Sequence, residues 1–504
     1  AFDRPLTTIA LRFFVVVFVT LMSVVSIPAA EKSADKNTYS RELHERANRA
    51  MDAYRGRLDE LAAWCEGEGL SSQAAKTKGW ARPRAADKLY ITALTDRVGP
   101  PGPENAREWQ KRFWKLRREQ AEVLFKIAHQ AARQNRPSLA FDLLMAAVHE
   151  DPDHEVARRI LGYQKFRGRW HTLFEIRKLR ADWVDSEKFG WIRKADLQRY
   201  EKGERRYANR WISTEEDARL HKDIRKGWDI QTEHYSIRTN HGIEAGVALG
   251  RRLEQLHNVW KRLFIRYYAT REQVLGMFEG KRRGRPVKLP RHKVVYFRDR
   301  DDYNAALGET FPNIGISTGV YVEQTRRAYF FAGEGSSDRT ILHEATHQLF
   351  HESRPVANNV GQKANFWIVE GIATYMESLR KEDGNNGDGQ FVLGGFDDIR
   401  MKAARYRLLK DDFYVPLAEF CGYGMRQIQA DPRIATLYSQ MAGLTNFLVY
   451  YDGGRYRDAL VAYLRAVYNG SQNRAMLFEL TGTPPETLDR QYREFMLDFQ
   501  SRSD

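Results

Sequence analysis

Cysteine is nearly absent. Only Cys65 and Cys421 stand in 504 residues, so a disulfide framework is excluded; one bridge at most is open to the chain, and two free thiols equally. Long apolar runs are scarce too. Residues 13–27 form one, broken by Thr20, Ser23 and Ser26, and its length of about 15 falls short of the roughly 20 residues that span a bilayer comfortably. Acidic residues are in the minority, 66 against 81 Lys and Arg, for a formal charge of +15. A basic protein of this kind is drawn to anionic surfaces such as lipid headgroups or acidic polymers. Aromatic residues are plentiful: 26 Phe, 24 Tyr and 11 Trp in a 42% hydrophobic chain exclude a disordered protein. At this length two or more domains with substantial cores are expected.

The one apolar run follows Arg4 and Arg12 and precedes Pro28, Ala29 and Ala30. Basic start, apolar middle and small-residue exit are the parts of a secretory signal, so residues 1–30 are expected to direct export, with cleavage after Ala29 or Ala30. The chain is then secreted or periplasmic; an uncleaved membrane anchor is the alternative.

The most informative local pattern is His343-Glu344-Ala345-Thr346-His347, an H-E-x-x-H signature. On an α-helix, residues four apart lie about 40° apart round the axis and about 6 Å along it, so both imidazoles can grip one ion. Glu344, about 100° round from His343, is left free to reach a water on that ion. The competing reading is a histidine pair on a core helix, satisfied by backbone oxygens.

A catalytic zinc wants three protein ligands and one open position. One class of such sites places a third His six residues after the second, following a Gly; here Phe350 and Ser353 occupy those positions. His351 lies eight residues beyond His343, about 12 Å along a helix axis, too far to share the ion, and reads as a polar-face residue. The better candidate for the third ligand is Glu370, inside the apolar helical pattern of residues 366–377, although taken alone a Glu in such a pattern is more often a surface or paired residue. Glu370, Ala373, Thr374 and Glu377 share one face of that helix. Gly371 and Ala373 are small enough to let it approach the histidine helix. Asn358, Asn359 and Gly361 mark the loop between the two.

The pair of segments resembles the gluzincin metallopeptidases, in which H-E-x-x-H is followed downstream by Trp-x-x-Glu-Gly-x-Ala. Trp367, Glu370, Gly371 and Ala373 match that motif. The wider pattern is similar to poorly characterised bacterial members of the peptidase MA superfamily, over residues 229–504. The resemblance implies zinc held by His343, His347 and Glu370, Glu344 as general base, and a peptide or protein substrate. Glu377 is then a candidate support for a ligand histidine. It also implies an oxyanion donor from a later helix, where Tyr438 heads an apolar stretch; an ordinary core tyrosine is the plainer reading of that residue.

The fold class expected is α+β, with a gluzincin-like catalytic domain over 229–504 and a mostly helical accessory domain over 31–228. Helices are expected over 40–64, over 104–134, after Pro137 and from Asp151. Ile127, Ala128, Ala140, Leu144, Ala147 and Pro152 fall as in one tetratricopeptide-like hairpin, too little for a solenoid. Residues 99–103 are a Gly-Pro break. Short strands are expected near 189–192, and Ser213 with Glu216 forms a capping box. A strand over 228–239, a helix over 242–264, a strand over 294–297 and a hairpin over 319–331 lead to the metal helix. This order fits a small mixed sheet laid on it. Residues 319–324 could pair with an extended substrate. After Glu370 the chain reads as helical apart from a loop over 381–390.

Two rival functions remain open on these residues. One is a non-catalytic metal-containing binding protein that recognises partners through its helical half, against which an intact Glu344 weighs. The other uses Arg283-Gly284-Arg285-Pro286 and its neighbours as a minor-groove hook; a solvated basic loop in an exported protein is the favoured reading, so no nucleic acid is expected.

Overall fold

Helix-forming stretches dominate the chain, and in the computed structural model the strands between them are short, so the fold is α+β. The structure describes residues 41–80, 85–92, 107–281, 290–383, 389–471, 473 and 475–497. The expected signal over 1–30, the Gly-Pro break over 99–103 and the basic hook over 283–286 lie outside them. No described helix is long and apolar enough to cross a membrane.

The N-terminal half opens with α1 (Arg41–Gly67), α2 (Ser71–Trp80), β1 (Lys88–Thr92), α3 (Arg107–Arg133), α4 (Pro137–Glu150) and α5 (Glu155–Ile160). Pro137 starts α4 where its missing N–H costs nothing. Ile127, Ala128, Ala140, Leu144 and Ala147 are buried where α3 and α4 pack together. Asp151 ends α4 and does not open the next helix; His154 is the cap, its ring accepting the Ala157 N–H.

Residues 163–220 are more regular than the sequence suggests. Three hairpin-and-helix units follow one another: β2 (Tyr163–Phe166), β3 (Arg169–Thr172) and α6 (Leu173–Arg180); β4 (Trp183–Ser186), β5 (Gly190–Arg193) and α7 (Leu197–Glu201); β6 (Glu204–Tyr207), β7 (Arg210–Ser213) and α8 (Thr214–Leu220). Trp170, Trp191 and Trp211 hold the same place in each unit, about twenty residues apart. The expected capping box at Ser213 is half formed. Its hydroxyl accepts the Glu216 N–H, while the Glu216 carboxylate turns to Arg210.

The strand expected over 228–239 is two strands, β8 (Trp228–Gln231) and β9 (Tyr235–Thr239), folded antiparallel. Then come α9 (Ile243–Leu263), α10 (Ile265–Tyr268), α11 (Arg271–Phe278), β10 (His292–Phe297), α12 (Arg300–Leu307), β11 (Val320–Val322) and β12 (Arg327–Phe331). These strands form a mixed sheet in the order β11-β12-β10-β9-β8, parallel only where β10 meets its two neighbours. Gly246 and Gly250, one turn apart, seat α9 on β8 and β9: a Cβ on either would come within 2.9 Å of Ile230 or Thr232.

Two helices follow the sheet, α13 (Asp338–Glu352) and α14 (Phe366–Met376). All eleven residues of α14 are buried, as befits a helix apolar on every side. Gly371 does not face α13. A Cβ there would lie 2.5 Å from Thr445 Oγ1 and 3.0 Å from the Met441 carbonyl, so this glycine admits a later helix.

Strands occupy both described ends of the segment expected as a loop, β13 (Arg380–Asp383) and β14 (Gly389–Gly394), residues 384–388 lying outside the described residues, and β14 pairs antiparallel with β1. The remainder is helical: α15 (Ile399–Leu409), α16 (Leu417–Phe420), α17 (Met425–Ala430), α18 (Ile434–Gly454, broken over 451–453), α19 (Arg457–Asn469), α20 (Met476–Thr481) and α21 (Pro485–Leu497). One apolar core joins the sheet, α9, α13, α14 and α18. Further ties cross from the N-terminal half, an Asp142–Arg457 ion pair and a 2.6 Å hydrogen bond from Ser138 to Asp458. Cys65 and Cys421 are both free and buried.

Candidate metal centre

The H-E-x-x-H segment lies in the middle of α13, whose start is capped by the Ser337 hydroxyl accepting the Thr340 N–H. Spacing of four puts His343 and His347 side by side, Nε2 to Nε2 3.2 Å. Glu370, in the second turn of α14, meets both: its two oxygens lie 3.3 Å from His343 Nε2 and 3.6 Å from His347 Nε2. One donor atom from each of the three lies within 4.8 Å of the others. The turn between the helices needs left-handed backbone at Asn359, Gly361 and Asn365, residue types that adopt it most readily.

Behind the ligands stands a carboxylate clamp. Glu377 accepts from His343 Nδ1 at 2.9 Å, which leaves Nε2 to face the cluster. Glu377 is itself held by Arg339 at 3.1 Å and by two nitrogens of Arg400, each at 3.0 Å. Arg339 also grips Asp398, which caps α15. Burial opposes charge on Glu377, but the hydrogen bonds from His343 and Arg400 win and draw its carboxyl down to about 2.

The same balance works differently at each neighbour. Burial opposes charging His343, yet hydrogen bonds to Glu370 and Glu377 outweigh it and lift the imidazole to about 10. Burial dominates at His347 and takes it down to about 4. Burial also pushes Glu344 up to about 7, helped by the charges of Glu370 and Glu377 and opposed by His343 and the Tyr321 N–H. That N–H belongs to β11, the edge strand, and donates to Glu344 at 2.9 Å. Glu344 is therefore tied to the sheet edge and not to the ligand cluster.

Tyr438, at the head of α18, stands beside Glu370, and burial together with that carboxylate's charge pushes its hydroxyl well above the ordinary range. The expected site residues His343, Glu344, His347, Glu370, Glu377 and Tyr438 thus meet in one place. His351 is apart, packed against Tyr321 and Tyr468 and 3.4 Å from Glu323. Its side chain is 11% exposed, so it is a packed residue and not a polar-face one. Phe350 is wholly buried among Trp260, Phe264 and Tyr267.

Sequence reasoning missed Arg339, Arg400, Asp398 and the Tyr321 N–H. Arg339 had a signal, since it precedes His343 by four residues and so shares its helix face. Arg400 and Tyr321 arrive from other elements, and nothing local marks them.

Compared with known proteins, residues 338–470 match a family model described as "Protein of unknown function (DUF1570)". A search of curated proteins returned no match.

Proposed function

We propose that this protein is a zinc-dependent peptidase of gluzincin type, exported from the cytoplasm, with His343, His347 and Glu370 as metal ligands and Glu344 as general base. The observation that carries the reading is the meeting of two Nε2 atoms and one carboxylate within 4.8 Å, beside a carboxylate that takes no part in that group.

The donors suit zinc. Two imidazole nitrogens and a carboxylate oxygen form a three-ligand set of the catalytic kind, and the Glu377 hydrogen bond fixes the His343 tautomer that such a ligand needs. Bound there, zinc would supply Lewis acidity, easing ionisation of a water near neutral pH and polarising a carbonyl.

The remaining chemistry belongs to the chain. Glu344 takes the proton of the attacking water and delivers it to the leaving amine. Its bond to the Tyr321 N–H points it at the open edge of β11. The Tyr321 carbonyl faces the same side, where an extended peptide can pair by strand addition. Tyr438, already in the site, is the candidate donor to the developing oxyanion. The excess of positive charge favours work at an anionic surface.

Glu344→Gln tests the reading. An amide cannot accept the proton, so this variant should keep its fold and zinc but lose hydrolysis of a peptide library. Turnover equal to wild type would sink the proposal.

A further inference from the structure

A second cluster of metal-ligand type shares no residue with the candidate centre and lies where the β8–β9 turn meets α9. His234 comes from the turn. Glu254 and His257, three apart on α9, present the same helix face to it. One donor atom from each of the three lies within 4.8 Å of the other two.

Glu254 organises the group. Its Oε1 accepts from the Thr232 hydroxyl at 2.6 Å and from the His234 N–H at 2.7 Å, and its Oε2 lies 2.7 Å from His234 Nδ1. The His234 and His257 rings stack with centroids 3.7 Å apart and 20° between their planes, so one ring must turn for both to face a single ion. His257 is 8% exposed, and its Nδ1 is buried with no hydrogen-bond partner. His257 is thus a buried imidazole with an uncommitted nitrogen, beside a carboxylate and a second imidazole. A buried polar atom of that kind calls for a partner.

We propose that His234, Glu254 and His257 form a second site for a divalent transition cation, with zinc as its natural occupant. Two imidazole nitrogens and one carboxylate oxygen are borderline donors suited to zinc and ill suited to calcium or magnesium. A cation there fastens the β8–β9 turn to α9, and through β9 the sheet that carries β11. It stands independently of the peptidase reading, because it shares no residue with it.

The test is zinc binding by the full chain after stripping with a chelator. Wild type should bind two zinc ions tighter than about 1 μM. The double variant His343→Ala/His347→Ala should keep one, and zinc should raise its melting temperature. Adding His257→Leu to that double variant should abolish both the binding and the thermal shift. Glu254→Gln, which keeps an acceptor for Thr232, should weaken the remaining site at least about tenfold and serves if His257→Leu does not fold. The inference is overturned if the double variant binds no zinc, or if its binding is indifferent to His257 and Glu254. Loss of zinc on changing His257 alone, with none lost from the double variant, would instead sink the peptidase reading and keep this one.

Discussion

Four residues of the candidate centre announce themselves by spacing. His343, Glu344 and His347 follow from one helix turn, and Glu377 from the helix face it shares with Glu370; the structure brings all of them together. Tyr438 could be placed nearby only through a family resemblance, because nothing in its neighbourhood separates a donor from a core tyrosine. Its contact with Glu370 makes Tyr438→Phe informative. We expect a loss of about 10²-fold in kcat with zinc content unchanged. If zinc content falls instead, the hydroxyl serves to position Glu370. The metal-free chain should lose stability at alkaline pH. His343 keeps its proton in the folded state to about pH 10, against 6.5 for an ordinary imidazole. Between those values the folded state holds more protons than the unfolded one, so stability is full below 6.5 and is lost as pH rises toward 10. Denaturant midpoints of chelator-treated protein at pH 6.5 and 9 should show the fall, and His343→Ala should remove it.

At the scale of elements, periodicity found the helices and the order of strands around α9, α13 and α14. It failed where partners are distant. β14 is a short strand whose pairing partner, β1, lies some three hundred positions earlier in the chain, and a Gly- and Asn-rich neighbourhood looks like a loop until that partner is known. The three hairpin units over 163–220 were hidden because each is too short to set up a period of its own, although Trp170, Trp191 and Trp211 mark them. Gly371 illustrates the same limit: its size is legible, but which helix it admits is not. A methyl group there meets Thr445 and the Met441 carbonyl, backbone that cannot yield easily. Gly371→Ala should destabilise the protein by about 1–3 kcal/mol, read from denaturant unfolding, whereas the exposed Gly56, with nothing within 4 Å of an added Cβ, should gain from Gly56→Ala by up to about 1 kcal/mol.

For the whole molecule, the division expected at residue 228 meets a web of contacts. β1 supplies an edge to β14, Lys88 pairs with Asp397, and Asp142 pairs with Arg457. A chain starting at residue 229 would bare the edge of β14 and leave Arg457, 8% exposed, without its carboxylate. We expect it to aggregate or to melt well below the full chain, as seen by circular dichroism and sedimentation. A soluble fragment with unchanged melting temperature would make the N-terminal half a separable accessory. In the proposed centre Glu370, from a different helix, completes the ligand set begun by His343 and His347. Zinc analysis of Glu370→Ala beside wild type tests it most directly. Glu370→Ala should hold one zinc fewer per chain and lose peptide hydrolysis, while full zinc content with hydrolysis intact would remove Glu370 from the ligand set.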